Sequence, residues 1–184
     1  MAVWRAENSM LTQRGIEILN KVKAGIGKLT ITRIVAGSGR VAESNLFFQT
    51  DVSGTTKLMS LSEATTRDLG SEISIYITNS GFTESFNLNQ IGVYVTHPDY
   101  MGEHLYHISQ CDESEFDVLP AEEDTPVTVG YSIFLEHGSS SSISITVDPQ
   151  GMLSTERFTK FIENIVPGKL LSASPDGNLQ DSGK

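Results

Sequence analysis

From residue 28 onward the chain reads as short alternating segments separated by turn residues, with no helix-length stretch between them. That pattern most constrains the fold. Glu72–Asn79 is the clearest case: Ile73, Ile75 and Ile77 alternate with Ser74, Tyr76 and Thr78, and Asn79-Ser80-Gly81 ends the run. Side chains on a strand point to opposite faces in turn, so this spacing predicts a strand with one buried face. Further strands are expected over Lys28–Val35, Phe86–Thr96, Glu103–Gln110, Val127–Glu136 and Ser142–Val147, the last two joined by a hairpin at Gly138–Ser141. Two weaker candidates lie within residues 46–60, split at Ser53-Gly54. Parallel strands need a long crossover, usually a helix, and none is spelled here. The expected architecture is therefore mainly β (α+β): an antiparallel β-sandwich or open barrel.

Two helical segments flank the strands. In LTQRGIEILNKVKAGIG, Leu11, Gly15, Ile18, Leu19 and Val22 form an amphipathic stripe. Thr12 stands as N-cap, Lys21 and Lys23 fall in the last turn, and Gly25 or Gly27 can end the helix, which predicts a helix over 12–24. After Asp148-Pro149-Gln150-Gly151, a short C-terminal helix is expected, with Ser154 as N-cap and Pro167-Gly168 as stop. Phe158, Phe161, Ile162 and Ile165 would share its apolar face, and 158, 161 and 165 fit a fragment of a heptad. The organisation expected is an N-terminal arm (1–10), a β-rich domain opening on the first helix (11–150), the C-terminal helix (151–166) and a polar linker (167–184).

Composition narrows the function. Among 184 residues, 13 Lys/Arg stand against 23 Asp/Glu, a formal charge of −10. Such acidity argues against neutralising nucleic-acid phosphates or docking on anionic lipid. The single cysteine, Cys111, excludes an internal disulfide and any multi-cysteine metal site. No apolar run is long enough to span a membrane, and MAVWRAENSM lacks a basic-then-apolar signal pattern.

Catalytic signatures are sparse. Gly27-Lys28 is not preceded by a phosphate-cradling loop, and there is neither a GxSxG elbow nor a His-Glu-x-x-His pair. His97, His104, His107 and Cys111 could in principle ligate a transition metal. On a regular strand, however, His104 and His107 point to opposite faces, so ordinary strand-surface histidines are expected. Asp112, Glu113, Glu115 and Asp117 lack the pattern of a calcium loop and read as a solvated acidic stretch. Cys111 has no base beside it in sequence and reads as a small hydrophobe. The expectation is no enzyme, no metal, no cofactor and no small-molecule substrate.

Several stretches in order resemble a known family. They are LTQRGIEILNKVKAG (11–25), LTITRIVAGSG (29–39), ITNSGFTESFNLNQIGVYV (77–95), Pro98-Asp99 followed by Gly102–Tyr106, and ITVDPQGMLSTERFTKFI (145–162). Together, over roughly residues 11–162, they resemble the N-terminal domain of phage tail-collar fibre proteins of contractile-tailed phages and related particles. The resemblance implies a non-enzymatic adaptor that anchors a trimeric fibre to a baseplate, assembled in the bacterial host cytoplasm and carried in the tail. The partners it implies are further copies of the chain and baseplate proteins. Many relatives carry a basic–acidic pair where this chain has Asn89-Gln90, so these amides and the neighbouring Gly92 become candidates for the baseplate or subunit contact. Phe158, Phe161, Ile162 and Ile165 become candidates for the trimer seam. A carbohydrate- or receptor-binding module on the same scaffold is the alternative.

Overall fold

The structure is a computed structural model that describes residues 4, 6–66, 70–113, 116–137, 143–145, 171–173 and 179–181. It divides into two units, Met1–Met152 and Leu153–Lys184. In chain order, the first unit holds a 3-10 turn at Ala6–Asn8, β1 (Ser9–Leu11), α1 (Gln13–Lys23), β2 (Leu29–Gly37), α2 (Glu43–Leu46), β3 (Thr56–Thr66) and β4 (Gly70–Thr78). It continues with β5 (Phe86–Leu88), β6 (Gln90–His97), β7 (Tyr100–Gln110), β8 (Asp117–Leu119), β9 (Thr128–Glu136) and β10 (Ile143–Ile145). In the second unit, β11 (Leu171–Ala173) pairs antiparallel with β12 (Leu179–Asp181). The segment expected to be only a linker thus contains a strand pair. The expected C-terminal helix, with Phe158, Phe161, Ile162 and Ile165, lies outside the described residues.

The fold is mainly β, as the alternation implied. Seven strands run β1-β7-β6-β2-β3-β4-β9 in one antiparallel sheet that curls into a half-barrel. Register shifts mark where it bends: between Ile31 and Arg33, between Leu61 and Glu63, and on β7 opposite Val93 and Tyr94. A residue inserted on one strand increases local twist, which is how a flat ladder becomes a curved one. β3 reaches only Ile34–Gly37 of β2, and β10 pairs with the remaining Leu29–Ile31 in parallel. The expected β9–β10 pairing does not form: β9 pairs with β4 and β10 with β2, so those two strands separate. β5 and β8 make a separate two-stranded pair.

Both faces of the central strands are covered. Ile73, Ile75 and Ile77 are buried in the main core, as the alternation predicts, together with Ile91, Val93 and Val95 of β6 and Ile18, Leu19 and Val22 of α1. On the opposite face, Val35, Tyr94, Leu105 and Ile108 pack with Leu46 of α2 and Val52. The first of the two weak strand candidates in residues 46–60 is instead the end of α2 and its following turns; the second is β3. Leu46, fully buried, explains the error, because one anchored apolar residue looks the same in a strand as in a single helical turn.

α1 is held at both ends by its own sequence. The Thr12 hydroxyl accepts from the Gly15 amide at 3.0 Å and donates to the Leu105 carbonyl at 2.5 Å. At the other end Gly25, with φ +76°, lets its amide bond Val22 O while Ile26 N bonds Lys21 O. That double bond pattern caps the last carbonyls of a helix and needs a left-handed residue at the turn. Gly15 seats α1 on β7: a Cβ there would lie 2.0 Å from the Tyr106 carbonyl oxygen.

Candidate functional site

Asn89 breaks the expected 86–96 strand. Its amide N–H donates to Gly37 O at 3.0 Å and its side-chain nitrogen to Ser38 O at 2.7 Å, so it leaves the ladder between β5 and β6. Phe86 and Leu88 consequently join the main core, while Tyr94 lies on the other face, where an unbroken strand over 86–96 would have put all three on one face. Gln90 is fully buried. It accepts from Ser53 N at 2.8 Å and donates to Gln110 Oε1 at 2.7 Å and Gln49 Oε1 at 3.1 Å. Gln110 in turn bridges both backbone groups of Val41, at 3.0 Å each. Gly92 is also buried, and a Cβ there would meet Val52 at 2.6 Å and Leu105 at 2.8 Å.

These three residues, expected at a partner contact, are therefore internal ties of the fold. A neutral amide both donates and accepts, so it can satisfy a buried loop where a charge would need a counter-ion. Arg40 completes the network, donating to Asn89 Oδ1 at 3.5 Å, Cys111 Sγ at 3.4 Å and Asp112 O at 3.2 Å. Cys111 is fully buried and burial pushes its thiol up, the character of a packed hydrophobe.

The histidines also correct an expectation. Val93 pairs with His107 and Val95 with His104, because the bulge at Tyr106 adds one residue between them. His104 and His107 thus share a face instead of pointing oppositely. They serve different neighbours: His104 meets the Tyr100 ring edge-on at 5.7 Å, while His107 Nε2 lies 3.3 Å from the Ser9 hydroxyl. His97 donates from Nε2 to Ile26 O at 2.8 Å and accepts at Nδ1 from Asp99 N, which fixes the loop after α1 against the β6–β7 turn. No group of three or more His, Cys, Asp or Glu side chains converges among the described residues. Of the acidic stretch, Asp117 accepts from the Tyr131 hydroxyl at 2.7 Å, a structural role. Glu115 lies outside the described residues.

The half-barrel does not close on itself, and its seam holds a concave site that sequence reasoning missed. Between β9 and the β1–β7 edge lies a cavity of about 370 Å3. Trp4 and Ser9 come from the N-terminal arm, Ile91 from β6, His107 and Ser109 from β7, and Tyr131, Ser132, Ile133 and Phe134 from β9. The Ser9 and Ser109 hydroxyls bond each other at 2.8 Å, and Trp4 meets Tyr131 edge-on at 5.6 Å. Trp4 Nε1 and His107 Nδ1 are buried without a hydrogen-bond partner. Burial alone pushes the His107 imidazole down to about 4, so it is neutral at pH 7. Nothing short-range marks this site, since Ser9 and Ser109 stand 100 residues apart.

No family model matches the chain, and neither a curated protein nor a solved structure matches it. Among the described residues no helix is long and apolar enough to cross a membrane.

Proposed function

We propose that the chain is a structural adaptor of a phage tail fibre or related contractile particle, fixing a trimeric fibre to the baseplate without catalysis. One observation carries the reading: four of the five stretches that resemble tail-collar fibre proteins, those within the described residues, depend on one another in the fold. Gly15 and Thr12 of the first stretch press on Tyr106 and Leu105 of the fourth, Lys21 pairs with Asp99 at 2.6 Å, and the 29–39 and 77–95 stretches pair as β2 and β6. Motifs that form a single interdependent scaffold support a shared domain better than motifs scattered over a surface. In this reading Phe158, Phe161, Ile162 and Ile165 form the trimer seam, and the baseplate contact falls on residues other than Asn89, Gln90 and Gly92.

Two experiments test this. An affinity-tagged chain, expressed in the bacterium that makes the particle, should co-purify with baseplate proteins; recovery of none of them counts against the adaptor role. Light scattering on the full fibre gene product should give a trimer that Phe161→Asp weakens. A monomer, or a trimer indifferent to that change, removes this helix from the interface.

A further inference from the structure

We propose that the seam cavity between β9 and the β1–β7 edge binds a neutral sugar. This stands on the cavity alone and is independent of the adaptor reading. At about 370 Å3 the space falls within the range of roughly 300–1,000 Å3 typical of small-ligand pockets. Its walls combine two chemistries. The rings of Trp4 and Tyr131 offer apolar surface suited to the C–H face of a pyranose. The hydroxyls of Ser9 and Ser109 and the imidazole of His107 offer neutral donors and acceptors suited to its hydroxyls.

Charge narrows the ligand further. None of the lining residues carries a full charge at neutral pH, because His107 is held neutral by burial. An acidic or amino sugar would enter without a counter-ion, which is unfavourable away from water. A purely apolar ligand fails for the opposite reason. Trp4 Nε1–H needs an acceptor and His107 Nδ1 needs a partner of either kind, and a hydrocarbon would leave both unpaired. A sugar hydroxyl can accept from the indole and either donate to or accept from the imidazole, whose protonated nitrogen adjusts through its contact with Ser9. Both nitrogens are covered as the chain stands, so the ligand reaches them through a turn of the Trp4 and His107 rings.

Trp4 is the chain's sole tryptophan, so its emission reports this cavity directly. The whole chain is titrated, to about 100 mM, with the methyl glycosides of glucose, galactose, mannose and N-acetylglucosamine. Glucuronic acid and the hydrocarbon toluene serve as contrasts. The expected result is a saturable emission change with at least one neutral glycoside at millimolar concentration. That affinity should fall at least tenfold in Ser9→Tyr, which fills the cavity from a half-buried position on the edge strand β1. Ser9→Ala, read if the first variant melts below the parent, should weaken binding severalfold. Saturation by no neutral glycoside, saturation by glucuronic acid or toluene alone, or affinity unchanged in the variant that is read would overturn the proposal. Because this titration involves no baseplate protein, its failure leaves the co-purification result to stand by itself.

Discussion

Replacing Gly15 with alanine sets two effects of opposite sign against each other. Alanine is the better helix former by about 1 kcal/mol, so on an isolated helix the change would stabilise. In this fold the new methyl would lie 2.0 Å from the Tyr106 carbonyl oxygen and 2.9 Å from its carbon. Comfortable contact needs about 3.5 Å, so α1 must back away by more than about 1 Å. The obstacle is backbone within a paired strand, which cannot swing aside as a side chain would. The same oxygen accepts from Thr12 N at 3.0 Å, and the neighbouring Leu105 carbonyl holds the Thr12 hydroxyl, so the displacement strains the cap as well. It also lifts Ile18, Leu19 and Val22 from the core. Overpacking costs about 1–3 kcal/mol and a lost hydrogen bond about 1 kcal/mol, against the propensity gain of about 1 kcal/mol. The net is a destabilisation of about 1–3 kcal/mol, or roughly 2–12 °C in Tm for a chain of this size. Thermal unfolding followed by far-ultraviolet circular dichroism measures it, with Asn20→Ala, at an exposed site on the same helix, as control. The control should match or slightly exceed the parent. A Gly15→Ala protein that melts with the parent or above it would refute the seating of α1 on β7.

Truncating Ile75, 1% exposed at the centre of β4, to alanine should lower stability by about 2–5 kcal/mol in denaturant unfolding; an unchanged midpoint would mean that this strand does not face the core. Gln90→Leu should cost about 1–3 kcal/mol, because the Ser53 amide loses its acceptor while Gln110 Oε1 keeps only the Val41 amide, and calorimetry should find the loss in the isolated chain with no partner present. His107 predicts a pH dependence. The unfolded imidazole takes up a proton near 6.5 and the folded one only near 4, so the stability present above pH 6.5 is lost as pH falls towards 4. The gap amounts to about 3 kcal/mol at most, and His107→Gln should flatten the slope of stability against pH in that window relative to the parent.

What was legible in the sequence follows from the range of the interactions. α1 could be read nearly to the residue, since its cap, apolar stripe and terminal glycines all lie within one short segment. The inward isoleucines of β4 were equally clear, because alternation is a local signal. Asn89 was not, because its departure from the ladder is set by Gly37 and Ser38, some fifty residues earlier. The bulge at Tyr106 was hidden for the same reason: it is defined against β6, and one unseen residue reversed the relation between His104 and His107. Three-residue strands such as β1 and β8 are too short to carry a period. The seam cavity is the extreme case, assembled from the arm, β6, β7 and β9, none of which announces it alone.

The adaptor role meets its most direct test in electron cryo-microscopy of the assembled particle, made with and without this gene. The account predicts density for this half-barrel where fibre joins baseplate, in three copies per fibre, and particles without fibres when the gene is deleted. Normal fibres in the deletion, or density for this domain only at the distal fibre tip, would contradict it.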